Sequence, residues 1–114
     1  MNEQILSRVP GAVAYFAYSA DGKLIDSVTS DPGRLDQGTL DLLGHVCVAN
    51  RAIANMEARG WEGISDVTGF YPVEGFVYVG VNLSVVSRGD RAFVLDNKGG
   101  DYEAAHKVLV ELEK

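Results

Sequence analysis

Residues 35–59 constrain this chain more than any other segment. They run without proline and close on Gly60, the residue type that most often ends a helix. Projected at about 100° per residue, Leu35, Leu42, Val46, Ala49, Ile53 and Met56 form one narrow stripe. That stripe is expected to pack on a sheet. A second stripe lies beside it: Leu40, Leu43, Cys47, Ala54 and Ala58. Together the two cover roughly 200° of the helix, about twice the arc that a surface helix buries. Gln37, Asp41, Arg51, Asn55 and Arg59 make up the polar remainder. One sheet cannot cover two adjoining stripes. The second must be covered by other parts of the chain or by another molecule.

The flanking segments alternate as strands. Val9-Pro10-Gly11 stops a short helical start over residues 1–8, in which Ile5 and Leu6 turn inward. Residues 12–19 are apolar or aromatic on both alternations, which predicts a central strand covered on both faces. Asp21-Gly22 is a hairpin signal, and residues 24–30 return as a strand of mixed polarity, suited to an edge. After the helix, strands are expected at 64–71, 76–81, 83–87 and 92–95. Val77, Val79, Val81, Leu83 and Val85 keep one alternation, so the middle two are either one bent strand or two. Asn97-Lys98-Gly99-Gly100 is a loop. Asp101 then caps a last helix with the stripe Tyr102, Ala105, Val108, Leu109 and Leu112. A hairpin before the helix and a meander after it predict an α+β fold with a mainly antiparallel sheet.

Composition sets the function classes aside. The 114 residues are expected to form one domain over 1–114. Sixteen acidic against ten basic residues give a net charge of −6, which argues against a nucleic-acid or anionic-membrane surface. No apolar run approaches the roughly 18 residues of a membrane span, and the start is unlike a secretory signal; a cytoplasmic location is the expectation. One cysteine excludes an internal disulfide. No phosphate loop, dinucleotide fingerprint or nucleophile elbow occurs, and His and Cys do not cluster at zinc-ligand spacing. No cofactor, no metal and no catalytic activity are expected. Asp41 and His45 form an i,i+4 pair that reads as solvated surface rather than as an oriented general base. Cys47 reads as a small packed hydrophobe. Asn50 falls between the two stripes, where it either fixes the register of a helix pair or finds a partner within the chain.

Val9-Pro10-Gly11-Ala12-Val13-Ala14, the hairpin Asp21-Gly22-Lys23-Leu24-Ile25 and the long helix after a loop resemble the roadblock (dynein light chain) family of profilin-like domains. Cys47-Val48-Ala49-Asn50-Arg51 with Asn55-Met56, then Gly60 and the strands between 75 and 97, are similar to a bacterial roadblock-like family of uncharacterised function. The resemblance implies a central antiparallel sheet of about five strands, the long helix on one face and the terminal helices on the other. It implies homodimers made by pairing the strand after the long helix. It also implies non-catalytic platforms, often for small GTPases. The first helix here is shorter than that family's.

Together these readings predict a homodimeric scaffold or regulatory interaction protein. Its expected partners are its own copy and a small GTPase or another cytoplasmic protein. The expected dimer interface is Leu40, Leu43, Cys47, Asn50, Ala54 and Ala58, with Ile64, Val67 and Phe70 from the strand 64–71. The expected partner-facing residues are Asp41, His45, Arg51, Asn55 and Arg59. The alternative is a small-ligand sensor with a closed apolar pocket of several hundred cubic ångströms.

Overall fold

The doubly apolar segment at residues 12–18 forms β1 (Ala12–Tyr18), second in a five-stranded antiparallel sheet. The computed structural model describes residues 4–113. In chain order the elements are α1 (Gln4–Ser7), β1, β2 (Leu24–Thr29), α2 (Gln37–Ser65), β3 (Gly75–Val79), β4 (Leu83–Arg88), β5 (Arg91–Asp96) and α3 (Tyr102–Leu112). The sheet order is β2-β1-β5-β4-β3, which leaves β2 and β3 as edges. Residues 1–3 of the expected helical start lie outside the described residues.

Each face of the sheet has its own core. Tyr15, Val86, Phe93 and Leu95 meet Ile5 and Val9 beside α1, and Ala105, Val108 and Leu109 of α3. Ala14, Phe16, Tyr18, Val85, Ala92 and Val94 meet Leu35, Leu40 and Cys47 on the α2 side. A fully buried Leu or Phe contributes about 2 kcal/mol, so these two layers hold the fold. α2 starts where the Asp36 carboxylate accepts a hydrogen bond from the Thr39 amide at 2.8 Å. α3 starts in the same way, with Asp101 accepting from Ala104 at 3.0 Å.

Three expectations are corrected. Gly60 does not end the long helix, which continues through Gly63 to Ser65 and closes on Asp66 in the left-handed region (φ 61°). An interior glycine costs only about 1 kcal/mol, and nothing between 61 and 65 breaks the helix. Ser65 Oγ also donates to the Trp61 carbonyl at 2.6 Å within the last turn. The strand expected at 64–71 is therefore absent: residues 64–65 finish α2, and the following residues up to Gly75 form a connection without strand pairing. Its Tyr71–Pro72 peptide bond is cis. The segments 76–81 and 83–87 are two strands, turned by Gly80-Val81-Asn82 with the Gly80 amide on the Leu83 carbonyl at 2.9 Å.

The third correction concerns the face of α2. Leu40, Cys47 and Ala58, expected to be surplus, turn inward together with Gly44. Leu42, Ile53 and Met56, expected on the sheet, point outward. Leu35, assigned to the same stripe, lies before the helix and is buried in the core. The reason is how close α2 comes. A Cβ on Gly44 would stand 3.1 Å from the Tyr18 Cβ, so only the row of small residues lets the helix settle on the β1–β2 hairpin.

Candidate functional site

The outward face of α2 and the β3 edge carry most of the exposed large apolar side chains, with Ile25 of β2 and Val81 of the β3–β4 turn exposed elsewhere. Met56 is 73% exposed, Ile64 89% and Val79 66%. Leu42, Ile53, Trp61, Val77 and Tyr78 are exposed as well. β3 reads Gly-Phe-Val-Tyr-Val, with no charge, proline or bulge to protect the edge. The opposite edge, β2, carries Asp26.

The residues expected at a dimer interface divide into two groups. Leu40, Cys47 and Ala58 are buried in the chain's own core and cannot face a second molecule in this conformation. Leu43 and Ala54 are half-buried, and Leu43 packs against the α2-side core. Asn50 is half-buried, and no side-chain hydrogen bond involves it among the described residues. Ile64, Val67 and Phe70 are exposed, although not on a strand. Burial pushes the Cys47 thiol above its ordinary pKa, against hydrogen bonds with Ser87 and Tyr18, in keeping with a packed hydrophobe.

The residues expected to face a partner are largely engaged within the chain. Asp41 Oδ1 accepts from the Leu24 amide at 2.8 Å, which ties α2 to β2. His45 is exposed, with Nδ1 2.8 Å from the Asp41 carbonyl oxygen and 3.8 Å from its carboxylate. The ring is held by its own helix rather than aimed at a cleft. Arg51, expected on the polar side, instead turns toward the sheet, where Nη2 reaches the Tyr18 hydroxyl at 3.5 Å. That hydroxyl is buried and shared with Ser87 Oγ at 2.8 Å.

The sequence does not announce a clamp at the end of α2. The Glu62 carboxylate accepts three consecutive amides, from Gly69, Phe70 and Tyr71, at 2.8 to 3.0 Å. These backbone bonds, Tyr71's first, hold its carboxyl below the ordinary glutamate pKa. Asn55 Oδ1 accepts from the Val73 amide at 2.7 Å. The Arg59 guanidinium carbon lies 4.3 Å from the Tyr71 ring centroid, and Trp61 meets Phe70 edge-on at 5.6 Å. The clamp therefore presents Trp, Tyr and Arg at the surface, the types enriched where interfaces carry most energy. Its only sequence signal is those residue types near the helix end.

Among the described residues, the larger depressions between elements are open grooves of about 270 to about 410 Å3. The groove of about 300 Å3 is lined by Arg51 and Asn55 from α2 and by Tyr18. No group of three or more His, Cys, Asp or Glu is arranged to hold a metal among the described residues. Among those residues no helix is long and apolar enough to cross a membrane.

Comparison with known proteins places this architecture. The chain is similar to a roadblock/LC7 domain from Streptomyces avermitilis, with 13% identity, a TM-score of 0.66, and 94% of this chain and 84% of that one covered. It is similar to MglB in a tetrameric arrangement, with 14% identity, a TM-score of 0.66, and 91% and 73% covered. It is also similar to MglC from Myxococcus xanthus, with 19% identity, a TM-score of 0.54, and 94% and 85% covered. At these identities the likeness shows the fold, which is roadblock-like. Among curated proteins, none matches the chain by sequence. A family model described as "Uncharacterized conserved protein (DUF2173)" matches residues 3–111, and the chain belongs to that family.

Proposed function

We propose that this protein is a non-catalytic, homodimeric interaction scaffold or regulator. The observation that carries the reading is the unprotected β3 edge: an uncharged, apolar strand with one side unpaired. Soluble domains blunt such edges or pair them. Pairing β3 with β3 of a second copy makes a two-fold contact in which the same surface serves both chains. The exposed α2 residues Ile53, Met56 and Ile64 supply further apolar area for it, with Val67 and Phe70 beside the clamp. The half-buried Asn50 lies on the same helix. MglB, a protein of the same fold, occurs in a tetrameric arrangement, which supports assembly as such. The partner class implied by the roadblock resemblance is a small GTPase or another cytoplasmic protein.

Light scattering tests the assembly. The native protein is expected at twice the chain mass of 12.3 kDa. Val79→Glu, on the exposed edge, and Met56→Glu, on the outer helix face, are expected to give monomers with unchanged helix content. A native monomer at tens of micromolar would remove the dimer.

A further inference from the structure

Arg51 sits on the row of α2 that faces the sheet, between Cys47 and Ala58. Its Nε is buried and has no hydrogen-bond partner among the described residues. Among the described residues its Nη2 has only the Tyr18 hydroxyl, at the long distance of 3.5 Å. No carboxylate forms an ion pair with it among the described residues. Buried polar groups are normally satisfied, and a half-buried guanidinium normally has an anion.

The groove of about 300 Å3 lined by Arg51 opens between α2 and the β1–β2 turn. Val48 and Ala52 of α2 and Ala20 of the turn give it apolar walls. Asn55, one helical turn beyond Arg51, also lines it. The Asn55 oxygen is taken by the Val73 amide, and its Nδ2 has no acceptor among the described residues. The buried Nε of Arg51 thus lacks an acceptor beside an apolar wall, while Asn55 Nδ2 is open to solvent. Asp90 adds a single negative charge to the lining and pairs loosely with Arg91 at 3.8 Å. One carboxylate on an apolar stem matches both the free donors and the walls.

We propose that this groove docks an acidic segment of a protein partner. One Glu or Asp carboxylate lies on Arg51 and Asn55, and a neighbouring apolar side chain lies against Val48 and Ala52. The proposal rests on the scaffold reading above and names the partner's chemistry. The chain's net charge of −6 does not prevent it, because repulsion between exposed charges is screened beyond about 8 Å at physiological salt. A bidentate guanidinium–carboxylate contact supplies direction as well as attraction.

The test follows the Arg51 Nε–Hε and Asn55 Nδ2 resonances by NMR in the full chain. The blocked peptide Ac-Leu-Glu-Leu-NH2 is titrated against its neutral analogue Ac-Leu-Gln-Leu-NH2, at constant pH and salt. A saturable shift of both resonances is expected with the Glu peptide, and at least tenfold weaker binding with the Gln peptide. Arg51→Gln is expected to abolish the shift at Asn55. Ala52→Glu, at an exposed position that leaves the core untouched, is expected to weaken binding at least tenfold. No saturable shift, equal binding of the two peptides, or equally tight binding of isobutyrate alone overturns the proposal. Light scattering on the same samples separates the two readings. A dimer without the shifts keeps the scaffold and removes this groove. A monomer with the shifts removes the dimer and keeps the groove.

Discussion

Gly44 lies so close to Gly22 that a Cβ on it would meet the Gly22 carbonyl oxygen at 2.6 Å. Helix α2 therefore rests on the tip of the first hairpin with no side chain between them. Gly44→Ala is expected to destabilise the protein by about 1 to 3 kcal/mol, although alanine is the better helix former. Gly60→Ala in the same helix meets nothing within 4 Å and is expected to stabilise by up to about 1 kcal/mol. Urea unfolding of the two variants measures the contrast. Equal midpoints would refute the close approach.

Acid should release the clamp before it unfolds the sheet. Glu62 has a depressed folded pKa, so its three amide bonds stabilise the folded chain above the ordinary glutamate range. That contribution fades as pH falls through the lowered value. Trp61, the single tryptophan, packs on Phe70 beside the bonded amides and reports the change by fluorescence. Its emission is expected to shift on acidification while far-ultraviolet dichroism holds. Glu62→Ala, which removes the accepting oxygen, is expected to show that shift already at neutral pH. Emission that stays flat until the whole domain unfolds would mean the clamp contributes nothing.

Removing the Tyr18 hydroxyl should cost more than its size suggests. Tyr18→Phe takes the 2.8 Å partner from the buried Ser87, the 3.2 Å donor from the Gly89 carbonyl and, among the described residues, the one oxygen contact of Arg51 Nη2. Ser87 keeps a 3.3 Å bond to the Arg91 carbonyl, so the expected loss is moderate, about 1 to 2 kcal/mol. Chemical denaturation of the variant reads it directly.

Asp101→Ala is expected to cost about 1 kcal/mol, because the Ala104 amide at the start of α3 loses its acceptor. Asp101→Asn, which keeps an accepting oxygen, is expected to recover most of that loss in thermal unfolding.

The features legible in the sequence were those fixed within a few residues. The Asp21-Gly22 turn, the central placement of β1 and the cap and stripe of α3 all follow from neighbours along the chain. The face of α2 did not, because hydrophobic periodicity weighs bulk while closeness of approach is decided by small residues. Gly44 and Cys47 carry the better signal, and it points to the adjoining stripe. Gly60 misled for a related reason: a glycine permits a helix end without requiring one. The Glu62 clamp joins a side chain to amides seven to nine residues later, a relation without a periodic signature. The polarity of Arg51 points to the outer face, whereas its helical angle puts it beside Cys47 and Ala58.

The clamp also governs how the last edge strand finds its place. Asn55 pins the Val73 amide, and Gly75 fits so tightly that a Cβ there would run into the Ser87 backbone carbonyl. With both points anchored, almost no slack remains ahead of β3. A residue inserted at 67 or 68 can bulge outward unnoticed. One inserted beside Glu74 would slide the strand by a single step, exchange the sides to which Phe76 and Val77 point, and present a different outer margin to any second copy.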